Sequence, residues 1–268
     1  HNEEQKRETE DAIRRLTDRA TYLYVDVSRY WYSTQPTVTR LASDRAGQLH
    51  EHDVLDEISR RLREEARRRG DFHRVHACVE SSDIPDEHDA RLVILGPEYP
   101  HSKGQDDSTA LIESEKILAK RGNSPRNYKN TLVFLVCDST RLKELSSAIR
   151  NYLAWKSIWE EREQLNLDPF QAKQTDTKRK NADDTVKARI PETYQWLLIP
   201  GQPDPKGSLE WEENRLSGVD PLAVRASKKL KNEEMLLIQM GGIRLRMELD
   251  RIPLWRGDNV SVKQLVED

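Results

Sequence analysis

Two near-continuous apolar runs, RLVILG at residues 91–96 and NTLVFLVC at residues 130–137, constrain the fold of this chain more than any other feature. Unbroken runs of Val, Ile, Leu and Phe are typical of strands that are covered on both faces. Two further segments, HRVHACV (73–79) and TYQWLLIP (193–200), have the length and composition of strands. Helical patterns separate the four segments. This alternation predicts an α/β fold with a mainly parallel sheet flanked by helices.

The helices around this sheet are predicted from spacing and caps. Apolar residues recur at helical spacing in 53–69, 108–122 and 139–165. Asp138 directly precedes the last of these and is predicted to cap it. The stretch 171–189 is rich in Lys, Asp and Thr, so it is interpreted either as a solvated helix or as a mobile lid.

The first 52 residues follow a different pattern. A polar helix is predicted at 3–19, and TYLYVDVSRYWY (21–32) contains two short alternating runs joined by a tight turn, which indicates a β-hairpin. Helix-capping candidates, Thr37 among them, follow the hairpin. A hairpin between helices predicts a winged-helix-like segment. Its aromatic side chains either form the core of that segment, which is the favoured interpretation, or stack on nucleic-acid bases.

The carboxy-terminal part is predicted to be mainly helical. Residues 201–219 read as a loop, and a helix is expected after Asp220 and Pro221. The segment IRLRMELDRIPLW (243–255) is assigned to a helix as well. The predicted division is a helix and β-hairpin, winged-helix-like, at 1–52, an α/β domain at 53–200 and a helical region at 201–268. Because both ends fall abruptly in helical patterns, we expect the chain to be a fragment of a larger protein.

Bulk composition limits the classes of function. The net charge is −3, which gives no overall positive field to attract nucleic acid, so any such contact has to be a local patch. Cys78 and Cys137 are too few for a disulfide framework, which favours reduced thiols and a cytoplasmic location. No apolar run approaches the roughly 18 residues that cross a membrane, so no membrane partner is expected.

The motifs of catalysis are missing from the sequence. The phosphate-binding loop G-x-x-x-x-G-K-[ST] does not occur, and neither does a serine or cysteine nucleophile elbow. His73, His76 and Cys78 lack the spacing of a metal site. No catalytic, cofactor-binding or metal-binding residue is therefore assigned. The place where a stand-alone α/β enzyme would have its site is the carboxyl end of the strands, near 96–101 and Asp138.

Dense cationic clusters remain as candidate contacts with nucleic acid. Cations at a helix end and on solvated helix faces are ordinary structural features. If this chain does bind nucleic acid, however, we expect weak, sequence-independent contacts with phosphates at these clusters. The candidate residues are Arg67, Arg68 and Arg69 at the end of the helix predicted at 53–69, and Lys228, Lys229 and Lys231 on the helix that follows Pro221.

Several stretches, taken in order, resemble one bacterial family. They are YLYVDVSRYWYSTQPTVTRLASDRA, RNYKNTLVFLVCD, YLAWKSIWEE, LDPFQAK, YQWLLIP, ASKKLKNEE and LDRIPLWRGDNVSVKQL. They are similar to the carboxy-terminal part of the large AAA+-type ATPases of unknown function that are encoded beside DNA adenine methyltransferases in phage-defence islands.

The resemblance implies a non-catalytic segment that couples an upstream ATPase domain of the same chain to DNA or to a partner protein, such as a DNA methyltransferase. ATP and magnesium would belong to the part of the parent chain before residue 1, so the resemblance assigns no cofactor to this fragment. Two alternatives stay open from the residues themselves: a nucleic-acid-binding module that uses the hairpin and the lysine runs, and a stand-alone α/β enzyme.

The favoured interpretation of the aromatic hairpin can be tested at Trp31. If Trp31 is a core residue, Trp31→Ala should lower the free energy of unfolding by about 3–5 kcal/mol, as truncation of a buried aromatic side chain does. Thermal melting measures this loss. An unchanged melting temperature combined with lost DNA binding would instead identify Trp31 as part of a stacking surface.

Overall fold

The computed structural model describes residues 37–105, 107–202 and 207–236, the backbone of two strands at 23–26 and 29–32, and the isolated helical positions 12 and 15. The chain divides into two units, residues 1–226 and 227–268. The helix predicted at 243–255, and nearly all of the one predicted at 3–19, lie outside the described residues.

Nine strands and six helices are described. The strands are β1 (Leu23–Asp26), β2 (Arg29–Tyr32), β3 (Arg74–Ala77), β4 (Arg91–Ile94), β5 (Lys120–Arg121), β6 (Ser124–Pro125), β7 (Leu132–Cys137), β8 (Tyr194–Gly201) and β9 (Glu210–Arg215). The helices are α1 (Val38–Gln48), α2 (Glu51–Glu65), α3 (Thr109–Ala119), α4 (Ser139–Glu160), α5 (Pro169–Thr193) and α6 (Leu222–Asn232). Among these helices, none combines the length and the apolarity that crossing a bilayer requires.

The hairpin predicted near the amino terminus is present in the backbone. Strands β1 and β2 pair antiparallel, with Leu23 opposite Tyr32 and Asp26 opposite Arg29. The side chains of this hairpin, Trp31 included, lie outside the described residues. The winged-helix-like assignment therefore stays a prediction.

A five-stranded sheet is the centre of the first unit. Its strands follow one another in the order β3, β4, β7, β8 and β9. Strands β3, β4 and β7 are parallel, β8 is antiparallel to β7, and β9 is antiparallel to β8. Four of the five strands thus point in one direction. The prediction of an α/β fold with a mainly parallel sheet flanked by helices is confirmed.

Both faces of the central strands are covered, as their apolar runs predict. Val93, Phe134 and Leu198 pack with Ile117 and Leu118, which places α3 on one face of the sheet. The side chains that alternate with them point to the opposite face, where Leu92, Ile94, Leu135 and Leu197 are buried as well. Two more helices cover the sheet: α2 contacts β3, and α5 contacts β8. Helix α4 packs against the helices α2 and α5.

The fifth strand corrects the sequence prediction for 201–219, which is not a loop throughout. Strand β9, with the sequence EWEENR, pairs with β8 from Trp196 opposite Arg215 to Gly201 opposite Glu210. It is an edge strand that is largely exposed, and backbone hydrogen bonds to β8 hold it in place. An edge strand needs no alternation of apolar residues, so the charged sequence of β9 gives no strand pattern from which it could be predicted.

Helix α5 resolves the alternative left open for 171–189. The segment is a helix, not a lid, and it begins at Pro169 with Asp168 as its N-cap. Its buried positions recur about one turn apart and pack the helix against the core. They include polar residues, which is why the apolar periodicity is weak: Gln171, Thr175, Ala182, Val186, Ile190 and Thr193.

A buried arginine fastens the crossover between β3 and β4. The side chain of Arg126 is almost fully buried and donates to the carbonyl oxygens of Ile117 at 3.0 Å, Pro85 at 2.9 Å and Ile84 at 3.2 Å. Burial lowers the pKa of Arg126, although Asp86 partly compensates for this effect. The guanidinium thus supplies donors to a loop that has no strand partner of its own.

We expect Arg126→Met to lower the free energy of unfolding by about 3 kcal/mol, because it leaves several buried carbonyls without a donor. Arg121→Gln is the matched control, since Arg121 is exposed and makes one bond to the Ser82 carbonyl of the same crossover. Urea denaturation of the three proteins measures the difference. Equal loss in both variants would contradict the role assigned to Arg126.

Candidate nucleic-acid interface

Several exposed basic side chains of the first unit surround one shallow depression of about 520 Å³. We call it the arginine depression. Every basic side chain that lines it is exposed, and no carboxylate lines it. Its basic residues are Arg63, Arg67, Arg69, His73 and Arg74.

The turn after α2 brings these residues together. Helix α2 ends at Glu65, so Arg67 and Arg69 follow the helix, and the helix predicted at 53–69 extends four residues too far at its carboxyl end. Gly70 turns the chain at φ +57°, a conformation that glycine adopts without strain. The chain then enters β3, whose first residue is Arg74. A helix end and a strand start are thereby placed around the same depression.

Backbone contacts fix part of this surface. Arg69 donates to the carbonyl oxygen of His73 at 3.1 Å, and Arg63 donates to that of Cys78 at 3.4 Å. Among the described residues, none of the four arginines forms an ion pair with a carboxylate. His73 lies 3.8 Å from Asp89. The guanidiniums are therefore available to an external anion.

The structure separates the six residues proposed from the sequence. Arg67 and Arg69 line the arginine depression. Arg68 lines a different cavity of about 400 Å³ that also contains Glu64, and its guanidinium lies 3.9 Å from Glu65. The three consecutive arginines therefore do not form one surface.

The lysine cluster lies on α6, and its lysines have partners within the chain. Lys229 forms an ion pair of 2.5 Å with Glu233. Lys228 is exposed and Lys231 is half-buried, and each of them has an interaction of its own. The cluster does not present three unpaired ammonium groups.

Sequence reasoning missed Arg63 and Arg74. Arg63 precedes Arg67 by four residues, a spacing that places two side chains on one side of the helix predicted at 53–69. Arg74 lies four residues beyond Gly70, where a glycine after a helix indicates that the chain turns back. The spacing of four residues and the glycine were the available signals.

The carboxyl ends of β4 and β7 hold polar residues of catalytic type, but they are buried. The Nδ1 atom of His101 lies 2.8 Å from the Oγ atom of Ser108, and its Nε2 atom lies 3.4 Å from a carboxylate oxygen of Glu213. The Ser108 oxygen also accepts from the Leu111 N–H as the cap of α3. His101 is 0% exposed and Ser108 is 3% exposed. A nucleophile needs an approachable oxygen, so this trio is structural.

Neither cysteine has the properties of a nucleophile. Burial raises the pKa of Cys78 to about 11 and that of Cys137 to about 12, so both stay protonated thiols at neutral pH. The cavity beside Cys78 measures only about 70 Å³, well below the roughly 300 Å³ at which ligand pockets begin. This part of the sheet edge does not favour the stand-alone enzyme.

His76 is a buried histidine on β3. Burial lowers the pKa of His76 to about 4, and the positive charge of Arg91 adds to this effect, so its imidazole is neutral. Within the described ranges, no cluster of three or more His, Cys, Asp or Glu side chains is arranged to hold a metal ion.

Asp138 confirms its predicted role as a helix cap. Its carboxylate accepts from the N–H groups of Thr140 and Arg141, both at 3.0 Å, and from the Trp196 indole at 3.0 Å. Burial opposes ionisation, but the hydrogen bonds from Arg141, Trp196 and Thr140 outweigh it and lower the pKa of Asp138. The carboxylate links the start of α4 to β8.

No family model matches this chain, and no curated protein or solved structure matches it either. Function is therefore inferred from the geometry of the sites and from the sequence resemblance.

The contribution of the negative charge of Asp138, the N-cap of α4, can be tested with Asp138→Asn. Asparagine also caps helices and keeps a side-chain acceptor, so the substitution removes mainly the charge. The folded-state pKa of Asp138 lies below its unfolded value, so the unfolded state binds more protons as the pH falls from about 5 towards about 2. The stability that this carboxylate contributes is present above that range and lost within it. We expect Asp138→Asn to be less stable than wild type at neutral pH, with the difference disappearing in acid. Urea denaturation across the range measures it, and a difference independent of pH would contradict the assignment.

Proposed function

We propose that this chain is a non-catalytic segment that contacts the phosphate backbone of DNA through the arginine depression. One observation carries the proposal: four exposed arginines, none of them in an ion pair within the described residues, surround a single depression with no carboxylate in its lining. Like charges that lie close together repel one another, and a bound anion between them turns this repulsion into attraction.

Arginine suits this role better than lysine. Its planar guanidinium presents paired N–H donors that match two oxygens of one phosphate. Phosphate contacts position a protein on nucleic acid but carry no base sequence. We therefore infer binding that is insensitive to sequence.

The net charge of −3 makes the local character of the site important. The chain as a whole does not attract a polyanion, so binding depends on short-range contacts and weakens steeply as salt screens them. If three arginines each neutralise one phosphate, affinity falls roughly 40-fold between about 50 and 200 mM salt.

The sequence resemblance extends the proposal to the parent protein. We propose that the segment belongs to a larger ATPase of a DNA modification or phage-defence system, where it couples the upstream ATPase domain to DNA or to a partner such as a DNA methyltransferase. A contact that reads charge rather than sequence suits such a role, since the choice of site then belongs to the partner.

Fluorescence anisotropy with a short labelled duplex at low and moderate salt tests the DNA contact. We expect Arg67→Glu to weaken binding about fivefold more than Arg68→Glu, because only Arg67 lines the depression. Arg68→Glu is a close control, since both residues are exposed and adjacent. Lys228→Glu with Lys231→Glu forms a second arm for the lysine cluster.

The contrary outcomes are distinct. Equal effects of Arg67→Glu and Arg68→Glu would show that the depression is not the contact surface. No binding at low salt would contradict the DNA proposal and favour a protein partner. Affinity lost only in the lysine arm would move the contact to α6.

A further inference from the structure

A second concave surface lies at the carboxyl edge of the parallel strands, on the side of β8 and β9. It measures about 890 Å³. Five basic residues and one acidic residue, Glu192, contribute to its lining, and we call it the basic groove. The basic residues are Arg141, Lys187, Arg189, Arg215 and Arg225.

The elements that build the groove meet at the edge where α/β proteins bind ligands. Arg141 lies in the first turn of α4, directly after β7. Arg215 is the last residue of β9, and Gln195 lies at the start of β8. The four arginines come from distant parts of the chain, so no contiguous motif marks the groove.

Arg225 is a buried cation that has no carboxylate partner among the residues that the structure describes. It is 5% exposed and donates to the carbonyl oxygens of Gly218 at 3.2 Å and of Pro191 and Tyr194 at 3.1 Å each. Its Nε atom is buried and has no hydrogen-bond partner in the described part of the chain. Burial lowers the pKa of Arg225 despite the opposing charges of Asp220 and Glu65.

Burying a charge without a counter-ion is costly, and a bound anion nearby reduces that cost. The three carbonyls satisfy most of the donors of Arg225 but do not neutralise its charge. An anion bound in the basic groove would therefore compensate part of the charge of Arg225.

Arg215 provides an exposed guanidinium at the mouth of the groove. Its Nε atom donates to the side-chain oxygen of Gln195 at 2.9 Å, and its guanidinium lies 6.0 Å from the centre of the Trp196 ring. Among the described residues it has no carboxylate partner. This hydrogen bond to Gln195 orients the guanidinium of Arg215 and leaves its two terminal nitrogens to contact a ligand.

The remaining cations of the groove are paired with acids. Arg189 lies 2.9 Å from Glu144 and 3.0 Å from Glu192. Arg141 lies 3.4 Å from Glu144, and Lys187 lies 2.7 Å from Asp183. Exposed ion pairs of this kind contribute little to stability, so a multiply charged ligand can compete with the acids for these cations.

We propose that the basic groove binds a small phosphorylated compound, with Arg215 as the direct contact and Arg225 as the buried counter-charge. The volume falls within the roughly 300–1,000 Å³ of small-molecule sites. A guanidinium fork pairs with two oxygens of one phosphoryl group, and a multiply charged phosphorylated compound can contact several of the cations at once. This site is separate from the arginine depression and does not depend on the proposed DNA contact.

Isothermal titration calorimetry of the whole 268-residue chain with inorganic pyrophosphate tests the groove. We expect saturable binding that Arg215→Gln weakens about tenfold, because it removes the contacting charge from an exposed position. Arg121→Gln, at an exposed position outside both surfaces, is the control and should bind as wild type does. Arg67→Gln forms a separate arm that reports on the arginine depression. Circular dichroism verifies that the three variants are folded.

Three results would overturn the proposal: no saturable heat up to millimolar pyrophosphate, unchanged binding in Arg215→Gln, or binding lost only in Arg67→Gln. The last result would assign the anion to the arginine depression and leave the DNA proposal standing. Loss of DNA binding in Arg67→Glu together with loss of pyrophosphate binding in Arg215→Gln would establish two separate sites.

Discussion

The first unit depends on two strands, β4 and β7, that pair in parallel and are buried on both faces. A strand buried on both sides requires a helix layer above and another below, and this requirement places α3 on one face and α2, α4 and α5 on the other. The ends of the sheet are free of that requirement. The arginine depression lies at the start of β3, and the basic groove lies at the end of β9, so both candidate sites occupy the sheet margins.

Arginine has a structural role in this chain that its charged composition does not reveal. The buried guanidiniums of Arg126 and Arg225 donate mainly to backbone carbonyls rather than to carboxylates. Loops that pass under other elements leave carbonyls without donors, and a guanidinium can satisfy several of them at once. A chain that is 34% charged can therefore form a packed core, because some of its charges act as hydrogen-bond donors inside it.

The sequence predicted those parts of the fold in which the local pattern of apolar residues or capping residues matches the place of the segment in the structure. The apolar runs of β4 and β7 and the cap at Asp138 are of this kind. It did not predict β9, where backbone pairing holds a charged strand, or the packing of α5, where Gln171 and Thr175 occupy buried positions. It predicted Arg67 and Arg69 as cationic candidates, but the contribution of Arg74 depends on the turn at Gly70. The basic groove brings together residues up to 84 positions apart, such as Arg141 and Arg225, which no motif could anticipate.

The glutamates of β9 also have a consequence for association between molecules. An edge strand exposes a row of unpaired backbone N–H and C=O groups, to which a strand from another molecule can add. Glu210 and Glu212 lie on one face along this edge, and a second copy that pairs there antiparallel would bring like charges face to face. The repulsion acts against the first step of fibrillar aggregation.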